Sequence, residues 1–267
     1  MNFLAPIITL GGLGIAFGLA LAYASKKFHV DLDPTLEKVI ATLPGVNCGA
    51  CGKAGCSAFA EALYGGGAAL KSCTVCNDES RGAIAKILNL NVGETVKQVA
   101  VLHCQGGVKV KDKFLYFGMR DCIAANLSLG GHKSCTWGCI GFGSCAKACP
   151  FCAITMNGET GLPQVDESKC TACGNCVRTC PKHIFSLIPV DVKGKIYIAC
   201  SSQDAGRVVM QSCKVGCIGC KKCETTCKFD AIKVVDNLAR IDYEKCVGCM
   251  QCVKVCPTKV IIQRKAK

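Results

Sequence analysis

Closely spaced cysteines form two similar runs, CVGCMQCVKVCP at residues 246–257 and CTACGNCVRTCP at residues 170–181. Within each run three thiols recur at every third position, and a fourth follows after three intervening residues and precedes a proline. A C-x-x-C-x-x-C loop can turn three thiolates toward one [4Fe–4S] cluster, while the last cysteine of the run ligates the other cluster of a pair. The spacing therefore predicts paired four-iron clusters that exchange their final ligands.

The chain contains 26 cysteines in 267 residues, a content that fits a disulfide scaffold, a zinc protein or an iron–sulfur protein. Disulfide scaffolds are typical of small secreted domains, and cysteines so close in one loop cannot easily pair with one another. Structural zinc sites use two well-separated C-x-x-C pairs, not three evenly spaced thiols. The iron–sulfur interpretation accounts for the whole pattern, and a non-redox zinc-binding scaffold stays open as an alternative.

The formal net charge of +13 counts every cysteine as neutral. An oxidised four-iron cluster with four thiolates carries about −2, so five clusters cancel roughly ten of these positive charges. The basic balance therefore gives little support for nucleic-acid binding. It favours an acidic protein partner or anionic lipid.

Residues 3–24 carry no charge and are long enough to span a bilayer. Lys26 and Lys27 follow at once, whereas no basic residue precedes the segment, so the positive-inside rule predicts that the C-terminal bulk is cytoplasmic. A cleaved signal peptide is the rival, because AYA at 22–24 resembles a cleavage site, but the basic n-region is missing. We expect an uncleaved single-pass membrane anchor.

The chain repeats itself from residue 122 onward. Five cysteines of the first copy precede five of the second by 78 positions: Cys122, Cys135, Cys139, Cys145 and Cys149 against Cys200, Cys213, Cys217, Cys223 and Cys227. Capping and apolar periodicity predict helices at 33–43 and 79–90, and a strand at 96–104.

The expected fold is therefore α+β, with two ferredoxin-like modules in which the clusters stabilise small cores. We expect five parts: a transmembrane anchor (1–27), a small helical four-iron cluster domain (28–92), a connecting segment (93–121), a first module (122–190) and a second module (191–267).

The second module supplies two complete ligand sets. With crossed ligation, the spacing predicts one cluster on Cys217, Cys220, Cys223 and Cys256. It predicts the other on Cys227, Cys246, Cys249 and Cys252. Lys228 replaces the proline expected after the first run, but proline is no ligand, so both clusters are expected.

The first module departs from this pattern. One set is complete and consists of Cys149, Cys170, Cys173 and Cys176. In the other, the position equivalent to Cys220 is Phe142, which cannot bind iron. We expect Cys135 to substitute, which gives the set Cys135, Cys139, Cys145 and Cys180. A three-iron cluster, or none, is the alternative at this site.

A different pattern, CGACGKAGC at residues 48–56 with a cysteine downstream, predicts a fifth site formed by Cys48, Cys51, Cys56 and Cys73. Cys76 competes with Cys73 for the fourth position. Six cysteines then have no assigned role, namely Cys76, Cys104, Cys122, Cys152, Cys200 and Cys213. Buried structural thiols are the default for them, and a sixth cluster built partly from them stays open.

This order of features resembles the B subunit of the bacterial Rnf complex, an ion-translocating ferredoxin:NAD oxidoreductase, in its long polyferredoxin form. The resemblance is carried by the N-terminal span, the LPGVNCGACGKAGC block, DCIAA at 121–125, GCIGFGSCAKACP at 138–150 and the two modules. It implies that the anchor lies in the bacterial cell (inner) membrane, and that the chain takes electrons from soluble ferredoxin and passes them to other subunits of a membrane complex, which couples the flow to Na⁺ or H⁺ export.

The chain itself shows no complete active site, and we assign no catalytic residue. It has no G-x-G-x-x-G after a strand, no flavin-attachment motif and no carboxylate in its apolar span. NAD⁺ reduction and ion transport are therefore expected on other subunits. A membrane-anchored polyferredoxin of a hydrogenase or another reductase is the alternative with the same cofactors.

Overall fold

The apolar N-terminal segment is one helix, α1 (Leu4–Lys27), in the computed structural model, which describes residues 4–28, 33–91, 96–191 and 196–264. Its part Ile8–Lys27 has 20 residues and buries none of its apolar surface against the rest of the protein. Twenty helical residues rise about 30 Å, which matches the hydrocarbon thickness of a bilayer. Within the described residues this is the one candidate membrane span, and the predicted helix is confirmed from Leu4; residue 3 lies outside the described part.

A small helical unit follows, built from α2 (Pro34–Thr42), α3 (Cys56–Tyr64) and α4 (Asp78–Leu88). Asp33 caps α2 by accepting a hydrogen bond from the Thr35 N–H at 2.7 Å, as its sequence predicts. The three helices bury Val39, Phe59 and Ile84 in one apolar core. Both predicted helices of this unit are confirmed.

The first module contains a two-stranded outer sheet, an inner hairpin and three short helices. In the outer sheet β1 (Gln98–Leu102) pairs antiparallel with β4 (Phe185–Pro189), and in the hairpin β2 (Ile154–Asn157) pairs with β3 (Leu162–Val165). The helices are α5 (Cys122–Leu127), α6 (Ser144–Lys147) and α7 (Asn175–Thr179).

The second module repeats this arrangement. Its outer sheet pairs β5 (Ile196–Ile198) with β8 (Ile261–Gln263), and its hairpin pairs β6 (Ile232–Val235) with β7 (Leu238–Ile241). Its helices are α8 (Gly206–Ser212), α9 (Lys222–Thr226) and α10 (Gln251–Val255). The mixed helix and strand content confirms the α+β class.

The strand pairing shows that one cysteine of the first module corresponds to a different cysteine of the second module than the 78-residue register predicts. Strand β1 lies in the segment expected to be a connection (93–121), yet it forms the outer sheet of the first module, as β5 does in the second. The expected boundary at 92–93 lies outside the described residues. Because Cys104 follows β1 and Cys200 follows β5 by the same two residues, Cys104 is the counterpart of Cys200, not Cys122 as the 78-residue register suggests. Cys122 belongs to the longer segment 105–134, which the second module replaces with 201–212.

The two modules contact each other directly. The buried ring of His103 lies with Nδ1 2.6 Å from the Ile198 carbonyl and Nε2 2.6 Å from the Ser186 hydroxyl. Burial lowers the pKa of His103, so the ring is neutral, donates from Nδ1 and accepts at Nε2. Arg264 donates to the Pro189 and Val190 carbonyls at 2.9 and 2.6 Å. These contacts hold both outer sheets together.

Candidate metal centres

All 26 cysteines are free thiols and all lie in the described residues. Across residues 4–28, 33–91, 96–191 and 196–264, no three Cys, His, Asp or Glu side chains converge closely enough to hold a single metal ion. Groups of thiols instead line five cavities of about 320 to 420 Å³. An all-thiol donor set suits iron–sulfur clusters and other soft-metal groups.

The second module contains two cavities of about 320 Å³. The wall of one contains Cys217, Cys220, Cys223 and Cys256. The wall of the other contains Cys227, Cys246, Cys249 and Cys252. In each cavity the last cysteine of one run meets three cysteines of the other run, and no further cysteine lines the wall. Both groups match the predicted ligand sets residue by residue.

A left-handed residue shapes each cluster loop. Lys221 (φ 59°) and Met250 (φ 62°) reverse the chain immediately before α9 and α10, and these helices carry the third cysteine of each run. In the first module Gly143 (φ 76°) and Gly174 (φ 74°) do the same before α6 and α7. Glycine adopts this conformation without steric cost, whereas Lys and Met do so only when their surroundings hold them there.

One cavity of the first module, of about 320 Å³, contains the predicted set Cys149, Cys170, Cys173 and Cys176. Two backbone amides already donate to its sulfur atoms, from Ala153 to Cys149 at 3.4 Å and from Ala100 in β1 to Cys170 at 3.5 Å. In the second module Ala231 donates to Cys227 at 3.4 Å in the same way. Such donors stabilise thiolate charge and tune a bound cluster.

The other cavity of the first module, of about 350 Å³, differs from the prediction in one cysteine. Its wall contains Cys122, Cys139, Cys145 and Cys180. Cys135, which the sequence analysis assigned to this set, lies in the wall of a neighbouring cavity. Phe142, at the position where a ligand is missing, packs in the apolar cluster that contains Cys122. Cys122, the fourth cysteine of this wall, comes from the longer segment 105–134.

Hydrogen bonds fix Cys122 at the start of α5. Asp121 caps the helix by accepting from the Ile123 and Ala124 amides at 2.8 and 3.1 Å. Ser144, at the start of α6, donates to the second oxygen of Asp121 at 2.7 Å and accepts from the Cys122 amide at 2.8 Å. The first turns of α5 and α6 are therefore joined by hydrogen bonds, which hold Cys122 beside α6, the helix that carries Cys145.

The fifth cavity, of about 420 Å³, is the largest of the five and is lined by residues of both modules; we call it the intermodule cavity. Its wall contains five cysteines, namely Cys104, Cys135, Cys139, Cys200 and Cys213. Cys139 is shared with the preceding cavity, Cys135 is the cysteine that spacing assigns to that cavity, and Cys104, Cys200 and Cys213 belong to no predicted set. Cysteine spacing predicts no role for Cys104, Cys200 or Cys213. For Cys104 the reason is that the pairing of β1 with β4, which brings it here, joins segments far apart in the sequence.

In the helical unit, the loop between α3 and α4 carries Cys73 and Cys76, both buried. Arg81, also buried, donates to the carbonyls of both residues at 3.2 and 3.1 Å and so fixes the loop. The Cys56 amide donates to the Asn47 side chain at 2.7 Å, which closes the CGACG loop. Burial, together with the nearby thiols of the loop, raises the pKa of Cys73. Cys51, Cys56 and Cys73 pack in the apolar core of this unit, and the thiols of Cys48 and Cys51 act on the pKa of Cys73, so the four predicted thiols come from neighbouring segments.

Burial raises the pKa of cavity thiols, to about 12 for Cys145 and Cys176 and to about 11 for Cys223 and Cys252. Neighbouring thiols raise it further, because adjacent thiolates repel each other. Such groups stay protonated at neutral pH unless a metal replaces the proton. The cavities are therefore suited to a cationic metal–sulfide core that offsets several thiolate charges at once.

Family comparisons agree with these sites. A family model for an Fe-S cluster matches residues 43–75, which include Cys48, Cys51, Cys56 and Cys73 but end before Cys76. A model for a 4Fe-4S dicluster domain matches twice, over residues 134–184 and 216–260. The two dicluster matches correspond to the two modules and support multiple [4Fe–4S] clusters as the cofactors.

Three curated relatives resemble the chain over most of its length. The B subunit of the Na⁺-translocating ferredoxin:NAD⁺ oxidoreductase complex of Acetobacterium woodii is 44% identical over 97% of this chain and 77% of its own. The B subunit of the ion-translocating oxidoreductase complex of Methanosarcina acetivorans is 43% identical over 96% of both chains. The B subunit of the proton-translocating ferredoxin:NAD⁺ oxidoreductase complex of Clostridium ljungdahlii is 39% identical over 93% of this chain and 88% of its own.

Proposed function

The chain belongs to the B-subunit family of ion-translocating ferredoxin:NAD⁺ oxidoreductase complexes, and from this membership we propose that it takes electrons from reduced ferredoxin and relays them to partner subunits in the membrane. It is an electron-transfer subunit of an oxidoreductase complex, with [4Fe–4S] clusters as cofactors. The observation that carries the proposal is that four cavities in the two modules each present four cysteines. When bound, a [4Fe–4S] cluster supplies one-electron chemistry without proton or group transfer.

We assign five ligand sets to these sites. Four are those expected from spacing: Cys48, Cys51, Cys56 and Cys73; Cys149, Cys170, Cys173 and Cys176; Cys217, Cys220, Cys223 and Cys256; and Cys227, Cys246, Cys249 and Cys252. The fifth takes Cys122 in place of Cys135, together with Cys139, Cys145 and Cys180, because these four thiols share one cavity wall. Backbone amides donate to sulfurs of two of these sets, at Cys149 and Cys170 and at Cys227.

Electrons from ferredoxin are proposed to enter at the second module. Cys220 and Cys249 are the exposed members of the five ligand sets, so the least protein separates their sites from solvent. Exposed Lys221 and Lys222 follow Cys220 directly and form a basic rim. An acidic electron carrier such as ferredoxin complements this rim in charge, and long-range attraction speeds such encounters.

Electrons are proposed to leave through the helical unit. It begins at Asp33, and the five residues after Phe28 reach at most roughly 18 Å, so the unit stays close to the end of α1. Arg178 joins it to the first module by donating to the carbonyls of Cys48 and Cys173 at 3.0 and 3.4 Å. The backbones of two different ligand sets are therefore held by one side chain.

Membrane orientation follows from the charges at the end of α1. Lys26 and Lys27 form its last turn, and the positive-inside rule assigns this end to the cytoplasm. The two modules and the helical unit would then face cytoplasmic ferredoxin. Protease treatment of inverted membrane vesicles should digest the modules, whereas right-side-out vesicles should protect them; the reverse pattern would contradict this orientation.

NAD⁺ reduction and ion translocation are proposed to belong to other subunits. Helix α1 carries no Asp or Glu that could bind a translocated ion. Two of the relatives are named for different ions, Na⁺ and protons, although both are similar to this chain. The coupling ion is therefore not expected to depend on this subunit.

Anaerobic mixing of full-length protein in detergent with reduced ferredoxin tests the proposed function. We expect the visible iron–sulfur absorbance of the chain to bleach as its clusters are reduced, at a rate that falls with ionic strength. The variant Lys221→Glu/Lys222→Glu should slow the reaction about tenfold or more. A matched control, Lys38→Glu/Lys86→Glu, makes the same charge change on exposed lysines of the helical unit and should react nearly normally. Failure of reduced ferredoxin to bleach the wild-type protein would refute the proposal.

A further inference from the structure

The intermodule cavity has a thiol-rich wall that the five ligand sets leave unused. Apart from the shared Cys139, its cysteines are Cys104 and Cys135 of the first module and Cys200 and Cys213 of the second. Its volume of about 420 Å³ is comparable to the 320 to 350 Å³ of the four cavities assigned to clusters. Apart from Cys139, this wall presents four cysteine thiols, as many as each of the four assigned cavities presents.

Each module contributes an equivalent pair of thiols. The amides of His103 and Ala199 extend the two outer sheets with hydrogen bonds of 2.7 and 2.8 Å, and Cys104 and Cys200 come next in the chain. These two thiols therefore leave their sheets at the same point. The other two, Cys135 and Cys213, lie 78 positions apart and precede the cluster runs by the same distance. The four thus form a site with approximate twofold symmetry.

Glycines leave room between these sulfurs. A Cβ at Gly138 would lie 3.4 Å from Cys135 Sγ and 3.7 Å from Cys104 Sγ. A Cβ at Gly106 would lie 2.6 Å from Val110 Cγ2, 3.5 Å from Cys213 Sγ and 3.8 Å from Cys104 Sγ. Three sulfurs from both modules therefore lie within 4 Å of these two Cβ positions, and a side chain at Gly106 would not fit.

The fourth sulfur has a similar setting. A Cβ at Gly216, the repeat equivalent of Gly138, would lie 2.6 Å from Val209 Cγ1 and 3.7 Å from Cys200 Sγ, so glycine is required beside this sulfur too. The Ser202 amide donates to Cys200 Sγ at 3.4 Å, and the Cys139 amide donates to Cys104 Sγ at 3.4 Å. Amide donors of this kind are also present at two of the assigned sites, at Cys149 and Cys170 and at Cys227, where they stabilise thiolate charge.

Hydrogen bonds between the modules hold the two halves of the wall in register. Ser201 donates to the His103 carbonyl at 2.9 Å, and Gln105 donates to the Val215 carbonyl at 2.7 Å. Both bonds involve residues next to the thiols or to the cavity wall. These hydrogen bonds therefore fix the position of one module relative to the other beside the cavity.

We propose that Cys104, Cys135, Cys200 and Cys213 bind a sixth [4Fe–4S] cluster between the two modules. The inference rests on the proposed function only in that Cys122, not Cys135, completes the neighbouring set. It gives a ligand role to 24 of the 26 cysteines and leaves Cys76 and Cys152.

The location explains why such a site is useful. Cys139, a ligand of the Cys122 set, lies in the wall of both cavities. On the other side, Cys200 packs against the core that contains Cys217, a ligand of the second module. A redox centre here lies between the cluster sites of the two modules, which otherwise have none at their interface.

Metal and sulfide analysis of anaerobically purified full-length protein tests the proposal. The wild-type chain should contain about 24 iron and about 24 sulfide, as six four-iron clusters require. The variant Cys104→Ala/Cys200→Ala, which removes one thiol from each module, should lose about four of each. The matched control Cys76→Ala/Cys152→Ala removes the two unassigned cysteines and should lose none.

About 20 iron in both the wild type and the double variant would overturn the sixth cluster and leave the five-cluster function intact. One zinc per chain, lost in the double variant, would also overturn it. Near absence of iron in the wild type would refute the proposed function as well. If the double variant fails to fold, the wild-type count of 24 or 20 still decides, and spin quantification of the fully reduced protein provides a second count.

Discussion

Replacing Cys122 tests the assignment of the cavity beside Phe142. The change Cys122→Ala leaves three thiolates there, from Cys139, Cys145 and Cys180. A cubane with three protein ligands readily loses one iron, so we expect a three-iron cluster and a loss of one iron per chain, or of four if the site empties. An oxidised three-iron cluster is paramagnetic and gives an EPR signal in protein that is otherwise silent as isolated.

A second substitution, which places a thiol where the second module has Cys220, tests whether the four-iron cluster can be restored. In the Cys122→Ala background, Phe142→Cys introduces a thiol at the position equivalent to Cys220 and should restore the four-iron cluster. The change removes an aromatic ring that lies 5.2 Å from the His132 ring and 5.6 Å from the Tyr116 ring, between centroids. Each aromatic pair contributes about 0.5–1.5 kcal/mol, so the rescue variant should be less stable by about 1–3 kcal/mol and needs assay at low temperature.

The matched control is Cys135→Ala, which should leave this cluster unchanged and should instead remove iron from the intermodule site. The reasoning is refuted if Cys135→Ala produces the three-iron signal while Cys122→Ala preserves all iron. That result would return Cys135 to the set that spacing alone predicted.

Three further predictions concern other parts of the chain. Cys73→Ala should remove or degrade the cluster of the helical unit, whereas Cys76→Ala should keep it; iron analysis showing the opposite would exchange their roles. Arg178→Ala should weaken docking of the helical unit by about 1 kcal/mol, because partly exposed charge-assisted hydrogen bonds are lost. Limited proteolysis between residues 91 and 98 should then accelerate, with Arg178→Lys intermediate, and unchanged cleavage would count against the contact. Deleting residues 1–28 should release the protein from membranes without detergent and with its iron retained; continued membrane retention would show a second attachment.

Local patterns were sufficient for much of the molecule. Capping by Asp33 and the apolar period after it identify α2, and the spacing of the second module identifies two cavity walls completely. Such features depend on residues close in sequence, where the chain geometry limits what can meet. The same is true of Cys149 and its three partners, because the crossed ligand lies within one module.

Long-range pairing limited the rest. The role of Cys104 depends on β1 joining β4 across the whole first module, which spacing does not reveal. The position of Cys122 in its cavity wall depends on the hydrogen bond from Ser144 to Asp121, and no local sequence motif predicts that contact. Among the thiols that the predicted ligand sets otherwise leave unused, Cys135 is the nearest in sequence to Phe142, so spacing favours it, whereas the cavity wall contains Cys122.

Mössbauer spectroscopy of ⁵⁷Fe-enriched, anaerobically purified full-length protein, with metal analysis of the same sample, tests the central claim that these thiol walls hold four-iron clusters. We predict that essentially all iron appears as [4Fe–4S] clusters and that zinc is below one atom per chain. A spectrum dominated by two-iron clusters or by mononuclear iron, or zinc filling the sites, would contradict the account.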